Sequence, residues 1–352
     1  MSKVNIAVIG CGTIAKAAHI PNYAENPDVN IKYFCDIIPE RADEQVALHG
    51  GKAIYDYKEI LNDEELDAVS VCTPNDVHQI ITCDFLKAGK HVLCEKPAAR
   101  TIDEVHVMQE TAKETGKVLN IGVVNRFNGA VNKIREIISA GVLGEVYHVY
   151  VSFRQTRSIP GLGGKFTTKA LSGGGVLIDW GVHYLDLVMY CMNDPEPKTV
   201  SAQTYSKLAT NMREYVFDSM WAGPPDYNGT YDVEEFVTGF IRTEGPTITL
   251  NGAWAQNIFI PETYIDFIGT KGGIRLRYGG DFELFTVTNG KLTTEKPEFD
   301  SSVGMFKSEI DHFVQCVKNG EHIRSHIDKA EITARIMQGI YDSAECGKEV
   351  TL

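Results

Sequence analysis

Two residues whose types suit proton transfer, Asp179 and His183, lie four positions apart. In a helix, residues at that spacing lie on one face, and the surrounding residues are mostly apolar. Histidine ordinarily has a pKa of about 6.5, so it exchanges protons near neutral pH. Burying such groups on an apolar helix is costly. The pattern therefore predicts a buried helix in which Asp179 and His183 have a structural or functional role.

Three interpretations of this pair remain open from the residues alone. In the first, His183 is a core histidine hydrogen-bonded to Asp179, which is the usual state of buried polar groups. In the second, Asp179, His183 and Asp186 bind a metal, although no further His or Cys motif supplies a strong ligand. In the third, the pair is catalytic.

A second chemical motif lies near the N-terminus, where an apolar run over residues 4–9 is followed by Gly10-x-Gly12-x-x-Ala15. Gly10 permits a tight turn, Gly12 lets the backbone approach a pyrophosphate, and Ala15 lets the following helix pack closely. The N–H groups at the start of that helix favour phosphate. The motif therefore predicts a dinucleotide site.

Asp36 ends the second predicted strand, at residues 31–35. An acid about 20 residues after the glycines accepts hydrogen bonds from the adenosine ribose, and its charge would repel the extra phosphate of NADP. No basic residue follows Asp36 directly, and Arg41 is the nearest. The pattern predicts NAD; the alternative is an ordinary tight turn with a helix-capping Asp.

Strand and helix patterns continue to alternate, with further strands predicted at residues 68–72, 91–94 and 118–123. This alternation predicts an α/β fold with a doubly wound parallel sheet. Such sheets bind ligands at the carboxyl ends of their strands. The polar residues expected at those ends are Thr73, Asn75, Glu95 and Lys96.

Length and charge exclude several classes of protein. The 352 residues suit two domains, and a net charge of −13 argues against binding to nucleic acid or an anionic membrane. The eight cysteines form no Cys-x-x-Cys pair, so we expect reduced thiols, a cytoplasmic location and no metal. No signal peptide or membrane-spanning run is predicted.

Four motifs together resemble one known family. They are Glu-Lys-Pro at residues 95–97, Asn-Arg-Phe at 125–127, Gly-Val-Leu-Gly-Glu at 141–145, and the glycine-rich stretch 173–183 with its Asp-x-x-x-His. With the glycine fingerprint, they resemble the glucose–fructose oxidoreductase / inositol dehydrogenase / MocA family over essentially the whole chain.

The resemblance implies a Rossmann domain over residues 1–123 and an α+β domain over residues 124–352 with a large, mostly antiparallel open sheet. Alternating patterns after residue 145 agree with such a sheet. In the family, the outer face of this sheet commonly makes oligomer contacts. We therefore expect a homo-oligomer, as a dimer, tetramer or hexamer.

The resemblance also assigns roles to individual residues and implies a cis peptide before Pro97. The expected catalytic residues are Lys96, Asp179 and His183. The expected cofactor contacts, including those predicted above, are Gly10, Gly12, Thr13, Ile14, Asp36, Thr73, Pro74, Asn75, His78, Glu95, Lys96 and Asn125. The expected substrate contacts are Lys96, Arg126, Arg154, Arg157, Lys165, Asp179, Trp180 and His183, with Gln155 and Tyr184 as further candidates.

The expected activity is NAD-dependent oxidation of a ring secondary hydroxyl in a sugar, cyclitol or glycoside, with C3 of a glucoside as one specific option. Two alternatives stay open: an NAD-retaining glycosidase that oxidises its substrate transiently, and a redox-silent ligand-binding protein on the same fold. Residues 212–230 form a long predicted loop that borders the substrate site or an oligomer contact.

Overall fold

The computed structural model describes residues 3–352, and their contacts divide the chain into two compact units. The first unit runs to Phe127 and also contains Ser302–Glu331. The second unit contains Asn128–Ser301 and Ile332–Leu352. We describe each unit by itself.

The strands and helices follow in chain order. The strands are β1 Val4–Ile9, β2 Val29–Cys35, β3 Lys52–Ile54, β4 Ala68–Val71, β5 His91–Glu95, β6 Leu119–Gly122, β7 Val146–Arg154, β8 Pro197–Tyr205, β9 Phe236–Thr243, β10 Thr247–Ala253, β11 Glu262–Gly269, β12 Gly272–Arg277, β13 Phe282–Thr288, β14 Lys291–Glu295 and β15 Val350–Thr351. The α-helices are α1 Ile20–Glu25, α2 Pro39–His49, α3 His78–Lys87, α4 Ile102–Thr115, α5 Gly129–Ser139, α6 Lys169–Ser172, α7 Val182–Cys191, α8 Met305–Asn319 and α9 Ile327–Cys346. Two π-helical segments, Ala15–His19 and Leu177–Gly181, lead directly into α1 and α7.

The first unit contains a six-stranded parallel sheet in the order β3-β2-β1-β4-β5-β6. Its central strands are apolar and buried on both faces, as expected where helices cover a parallel sheet. The strand order reverses between β1 and β4, and ligands bind at such a switch point. The predicted α/β class and doubly wound sheet are therefore confirmed.

Helix α8 belongs to the first unit. Its buried residues Ile310, Phe313 and Val314 pack in one core with Ile6 and Tyr23. The expected division into residues 1–123 and 124–352 assigns this helix to the second domain, whereas its contacts group it with the first unit. The physical reason is its apolar face, which completes the core beside β1.

The second unit contains a nine-stranded sheet in the order β14-β13-β12-β11-β7-β10-β9-β8-β15. Only β7 and β10 pair in parallel, and the other neighbours are antiparallel. The expected large, mostly antiparallel sheet is confirmed. Helix α7 is buried almost throughout, and its Tyr184 packs on Phe153 of β7 with ring centroids 4.8 Å apart. Across residues 3–352, no helix is both long and apolar enough to cross a bilayer.

Candidate functional site

The turn after β1 is built around two glycines that meet different needs. Gly10 has φ +90°, and a Cβ there would lie 2.7 Å from the carbonyl oxygen of Cys72, so only glycine fits. A Cβ at Gly12 would meet no atom within 4 Å. The packing of the protein therefore does not require glycine at position 12, whereas close approach of a pyrophosphate would.

Asp36 orders this turn. Its Oδ2 accepts a hydrogen bond from Cys11 N at 2.9 Å, and its Oδ1 accepts one from Ile38 N at 2.9 Å. Arg41 lies 4.0 Å from the carboxylate. The acid is therefore a turn-capping residue next to the glycine loop, and its expected contact with the ribose stays a prediction.

The edge of the first sheet fits a dinucleotide in three further respects. Thr13 is exposed and Ile14 half-buried at the start of the helix, and among the described residues no side chain caps the π-helical segment that follows. The buried Thr73 Oγ1 has no hydrogen-bond partner in that same range. Pro74 is exposed and Asn75 half-buried beside it. These groups lie at the ends of β1 and β4, and their expected contacts with a dinucleotide stay a prediction.

Glu95, at the end of β5, belongs to a buried hydrogen-bond chain. Its Oε1 lies 2.8 Å from His19 Nε2, His19 Nδ1 lies 3.1 Å from Ser70 Oγ, and Ser70 Oγ lies 2.7 Å from the hydroxyl of Tyr23. Glu95 Oε2 accepts from Lys96 N at 3.1 Å. Burial raises the pKa of Glu95, but the hydrogen bond from His19 and its charge outweigh burial and lower the pKa. Glu95, expected to contact the cofactor, thus also fixes the backbone of Lys96.

His78 fixes the other side of this turn. Its Nδ1 lies 2.8 Å from the Pro97 carbonyl oxygen and its Nε2 lies 2.8 Å from the Thr73 carbonyl oxygen. Burial lowers the pKa of His78, yet Cys94 and the two carbonyls raise it to about 9. Because a neutral imidazole donates only once, two carbonyl acceptors require the imidazolium. Both ring nitrogens of His78, a residue expected to contact the cofactor, therefore bond to main-chain oxygens.

Lys96 is half-buried and directly follows β5, and its bond to Pro97 is cis, as the resemblance implied. After β6, Asn125 is 6% exposed and Arg126 only 1%. Arg126 Nη1 donates to the Arg324 carbonyl oxygen at 3.3 Å. Arg126, expected to bind substrate, is thus buried and bonded to a main-chain oxygen of the first unit.

In the second unit, Asp179 and His183 lie where the π-helical segment Leu177–Gly181 continues into α7. Asp179 is 8% exposed and His183 is half-buried. Trp180, between them, is half-buried against the core. The predicted helix with its polar stripe is therefore present, and π-helical segments are frequent at functional sites.

The other substrate candidates in the second unit differ in availability. Arg154 forms an ion pair with Glu262 and donates from Nε to Ser152 Oγ at 3.2 Å. Arg157 donates to Asn257 and lies over the ring of Tyr215. Lys165 is exposed and Gln155 half-buried. Tyr184 is 1% exposed and stacks on Tyr278, so its ring belongs to the core.

The long loop at residues 212–230 runs beside the segment that follows β7. Asp218 N donates to the Arg157 carbonyl at 2.9 Å and Asp226 N donates to the Leu162 carbonyl at 2.8 Å. The loop is therefore attached to the segment that carries the substrate candidates Gln155, Arg157 and Lys165. For the part of the chain that is described, no three His, Cys, Asp or Glu side chains are arranged to hold a metal ion.

Several residues with structural importance were not found by sequence reasoning. They are His19, Ser70 and Tyr23 in the first unit and Glu234 and Tyr341 in the second. Their partners lie 47 to 107 positions away in the sequence. Since no local spacing signals such contacts, only the fold reveals them.

Comparisons with known proteins agree with this architecture. Residues 4–123 match the model of an oxidoreductase family with an NAD-binding Rossmann fold, and residues 131–275 match the GFO/IDH/MocA C-terminal domain. The chain is 31% identical to the D-glucoside 3-dehydrogenase of Escherichia coli (strain K12), over 100% of this chain and 98% of that protein.

Two solved structures show the same fold over nearly their whole length. A levoglucosan dehydrogenase in complex with NADH and levoglucosan has a TM-score of 0.85 at 21% identity and covers 99% of both chains. The aldose–aldose oxidoreductase of Caulobacter crescentus has a TM-score of 0.83 at 24% identity, covering 99% of this chain and 100% of that one. The chain therefore belongs to the GFO/IDH/MocA family and is an NAD-dependent oxidoreductase.

Proposed function

We propose that this oxidoreductase oxidises a ring secondary hydroxyl of a sugar, cyclitol or glycoside, with the C3 hydroxyl of a D-glucoside as the first candidate. The observation that carries the proposal is the full-length similarity, at 31% identity, to a D-glucoside 3-dehydrogenase. The polar stripe of Asp179 and His183 on an otherwise apolar helix supports it, because alcohol oxidation requires a base for the hydroxyl proton.

Each residue has a role set by its chemistry. His183 accepts the hydroxyl proton, and Asp179, one turn earlier on the same helix, orients it. Lys96 donates to the hydroxyl oxygen and stabilises the developing negative charge. NAD, when bound, accepts the hydride. Arg154, Arg157, Lys165 and Trp180 are the proposed sugar contacts, and the loop at residues 212–230 borders them.

The proposal extends to cofactor choice and assembly. Asp36, with no basic residue directly after it, favours NAD over NADP because its carboxylate would repel the additional phosphate. We further propose that the protein is a cytoplasmic homo-oligomer that associates through the outer face of its nine-stranded sheet. Size measurement in solution tests the assembly, and a monomer at all concentrations would exclude it.

The test is a screen of D-glucosides, free sugars and inositols in the presence of NAD, in which the absorbance of NADH reports the reaction. We expect net NADH formation with a glucoside and a 3-oxo product. Glycoside cleavage without net NADH would instead identify the NAD-retaining glycosidase, and no turnover with NAD bound would identify a redox-silent protein.

The roles are tested with Lys96→Met and His183→Asn. We expect kcat to fall by about 10²- to 10⁴-fold in each, because a positioned acid or base contributes that much, while the dissociation constant for NAD changes little. The matched controls are Lys113→Met and His322→Asn, since both residues are exposed. Lost NAD binding with unchanged turnover per bound cofactor would contradict these roles.

A further inference from the structure

The helix that carries Asp179 and His183 begins against a single acidic residue. Gly175 N donates to Glu234 Oε2 at 2.9 Å, Leu177 N donates to Glu234 Oε1 at 3.0 Å, and Val176 N donates to the main-chain oxygen of Glu234 at 3.1 Å. The first N–H groups of a helix have no partner inside the helix. Glu234 therefore satisfies three consecutive N–H groups from 57 to 59 positions away.

Tyr341 of helix α9 completes this arrangement. Its hydroxyl donates to Glu234 Oε1 at 2.9 Å. A Cβ at Gly174 would lie 2.0 Å from that hydroxyl, and a Cβ at Gly175 would lie 1.9 Å from the main-chain oxygen of Glu234. Glycine is thus required at both positions, because the Tyr341 phenol lies against Gly174 and the main-chain oxygen of Glu234 lies against Gly175.

We call Glu234, Tyr341 and the three N–H groups of residues 175–177 the clamp. A backbone hydrogen bond connects the clamp directly to Asp179. Asp179 N donates to the Gly175 carbonyl oxygen at 3.0 Å. That oxygen belongs to the Gly175–Val176 peptide group, whose N–H donates to the main-chain oxygen of Glu234. The same peptide group therefore bonds both Glu234 and the backbone of Asp179. His183 lies one turn further along the same helix. A displacement of the first turn would therefore move both side chains.

Glu234 is a buried carboxyl group whose partners are all uncharged, an arrangement that is costly for the stability of the fold. The residue is 7% exposed, and the groups that shift its pKa within residues 3–352 are backbone N–H groups and Tyr341, with no Lys, Arg or His among them. Burial raises its pKa, and the bonds from Leu177, Gly175 and Tyr341 offset this only in part. The helix dipole favours negative charge at this end, but removing a carboxylate from water remains costly.

We propose that Glu234 and Tyr341 are positioning residues that fix the first turn of the helix and thereby the orientation of Asp179 and His183. The inference rests on the proposed function for its catalytic consequence, but the clamp itself is independent of any substrate. Neither residue is among the groups proposed to contact the substrate or the cofactor.

The test compares Glu234→Gln and Tyr341→Phe with Glu235→Gln. Glu235 is the matched control because it is also buried, at 1% exposed, but its carboxylate accepts hydrogen bonds from Leu208 N and the Tyr231 hydroxyl instead of the helix. The first readout is amide hydrogen exchange. We expect exchange at Gly175, Val176 and Leu177 to accelerate about tenfold in the two test variants, as for loss of one hydrogen bond's stabilisation, and to stay unchanged in Glu235→Gln.

The second readout is the imidazole chemical shift of His183, which requires neither substrate nor NAD. We expect it to change in Glu234→Gln and Tyr341→Phe and to match the wild type in Glu235→Gln. With an active substrate, kcat should fall about tenfold in Glu234→Gln, because small misplacements of reacting groups are costly, while the dissociation constant for NAD stays unchanged.

The outcomes separate the two proposals. Unchanged exchange at the three amides, or an unchanged His183 signal, would overturn the positioning role. A fall in kcat no larger than that of Glu235→Gln would also overturn it. If the wild type oxidises no sugar while exchange and the His183 signal respond as expected, the substrate proposal fails and the clamp stands. Should Glu234→Gln not fold, Tyr341→Phe carries the test, since it removes one hydroxyl only.

Discussion

In each unit a buried glutamate forms a hydrogen bond with a π-helical segment, and the pKa values of these two glutamates shift in opposite directions. Glu95 is 6% exposed and faces the ring of His19, which is 0% exposed. Glu234 is 7% exposed and faces backbone N–H groups and a phenol. Burial raises the pKa of both groups, but the net direction is downward for Glu95 and upward for Glu234.

Because both glutamates are buried, the opposite directions of their pKa shifts follow from their different hydrogen-bond partners. An ionisable partner such as His19 lowers the pKa of a carboxyl group directly. Neutral donors stabilise the carboxylate less, so desolvation prevails at Glu234. Glu95 orders the turn that carries Lys96, and Glu234 orders the helix that carries Asp179.

The largest loss of unfolding free energy is expected for Glu95→Ala, because this variant leaves a buried ionisable partner without its counterpart. Glu95→Ala leaves His19 buried without its carboxylate, and breaking a buried pair in this way costs about 3–5 kcal/mol of unfolding free energy. Urea unfolding followed by circular dichroism measures the change. The double variant with His19→Ala should lose less than the sum of the single variants, and strict additivity would show that the pair is not coupled.

A smaller loss is expected for Glu234→Ala. No oppositely charged group is stranded there, so the cost is that of unsatisfied N–H groups, about 1–3 kcal/mol. The same unfolding experiment measures it. A loss equal to that of Glu95→Ala would remove the distinction between the two sites.

The pH dependence of stability should differ in sign between the two acids. The ordinary pKa of Glu is 4.5, and a folded-state pKa below it gives stability that is present above about pH 4.5 and lost as the pH falls through the folded value. The stability advantage of the wild type over Glu95→Gln should therefore shrink in acid.

For Glu234 the folded pKa lies above the ordinary value, so its contribution is fully present below about pH 4.5 and is lost as the pH rises through the folded value. The advantage of the wild type over Glu234→Gln should therefore grow in acid. Unfolding midpoints measured from about pH 2 to 8 cover the loss below pH 4.5 expected for Glu95 and the loss above pH 4.5 expected for Glu234. Parallel trends for the two variants would contradict the comparison.

The sequence predicted the parts of the fold that depend on local patterns. The glycine fingerprint, the parallel strands and the helix of Asp179 and His183 each follow from spacing within a few residues. The location of α8 did not, because its amphipathic pattern shows only that it packs, and only tertiary contacts assign it to the first unit.

The same limit applies to the candidate site. The resemblance assigned His78 a contact with the cofactor, but its two backbone acceptors, Thr73 and Pro97, come from the ends of neighbouring strands. Glu234 gives no local signal at all, since its partners Gly175, Leu177 and Tyr341 lie more than 50 positions away in the sequence. Long-range polar contacts are set by topology, and composition or periodicity does not encode them.

The smallest expected effect gives the sharpest comparison, because it changes one hydroxyl in each unit. Tyr23→Phe removes the bond to Ser70 Oγ at 2.7 Å, and Tyr341→Phe removes the bond to Glu234 Oε1 at 2.9 Å. Each should cost about 1 kcal/mol of unfolding free energy, the net value of one buried hydrogen bond.

The two phenylalanine variants should nevertheless differ in turnover. Tyr23 is separated from Lys96 by Ser70, His19 and Glu95, so its loss is absorbed along a chain of bonds. Tyr341 bonds the same carboxylate that holds the first turn before Asp179. Positioning acts only through the groups that hold the reacting side chains, so at equal stability we expect kcat to fall only in Tyr341→Phe. Steady-state kinetics of the two variants measures this difference. Equal falls of kcat in both variants would mean that kcat follows stability instead.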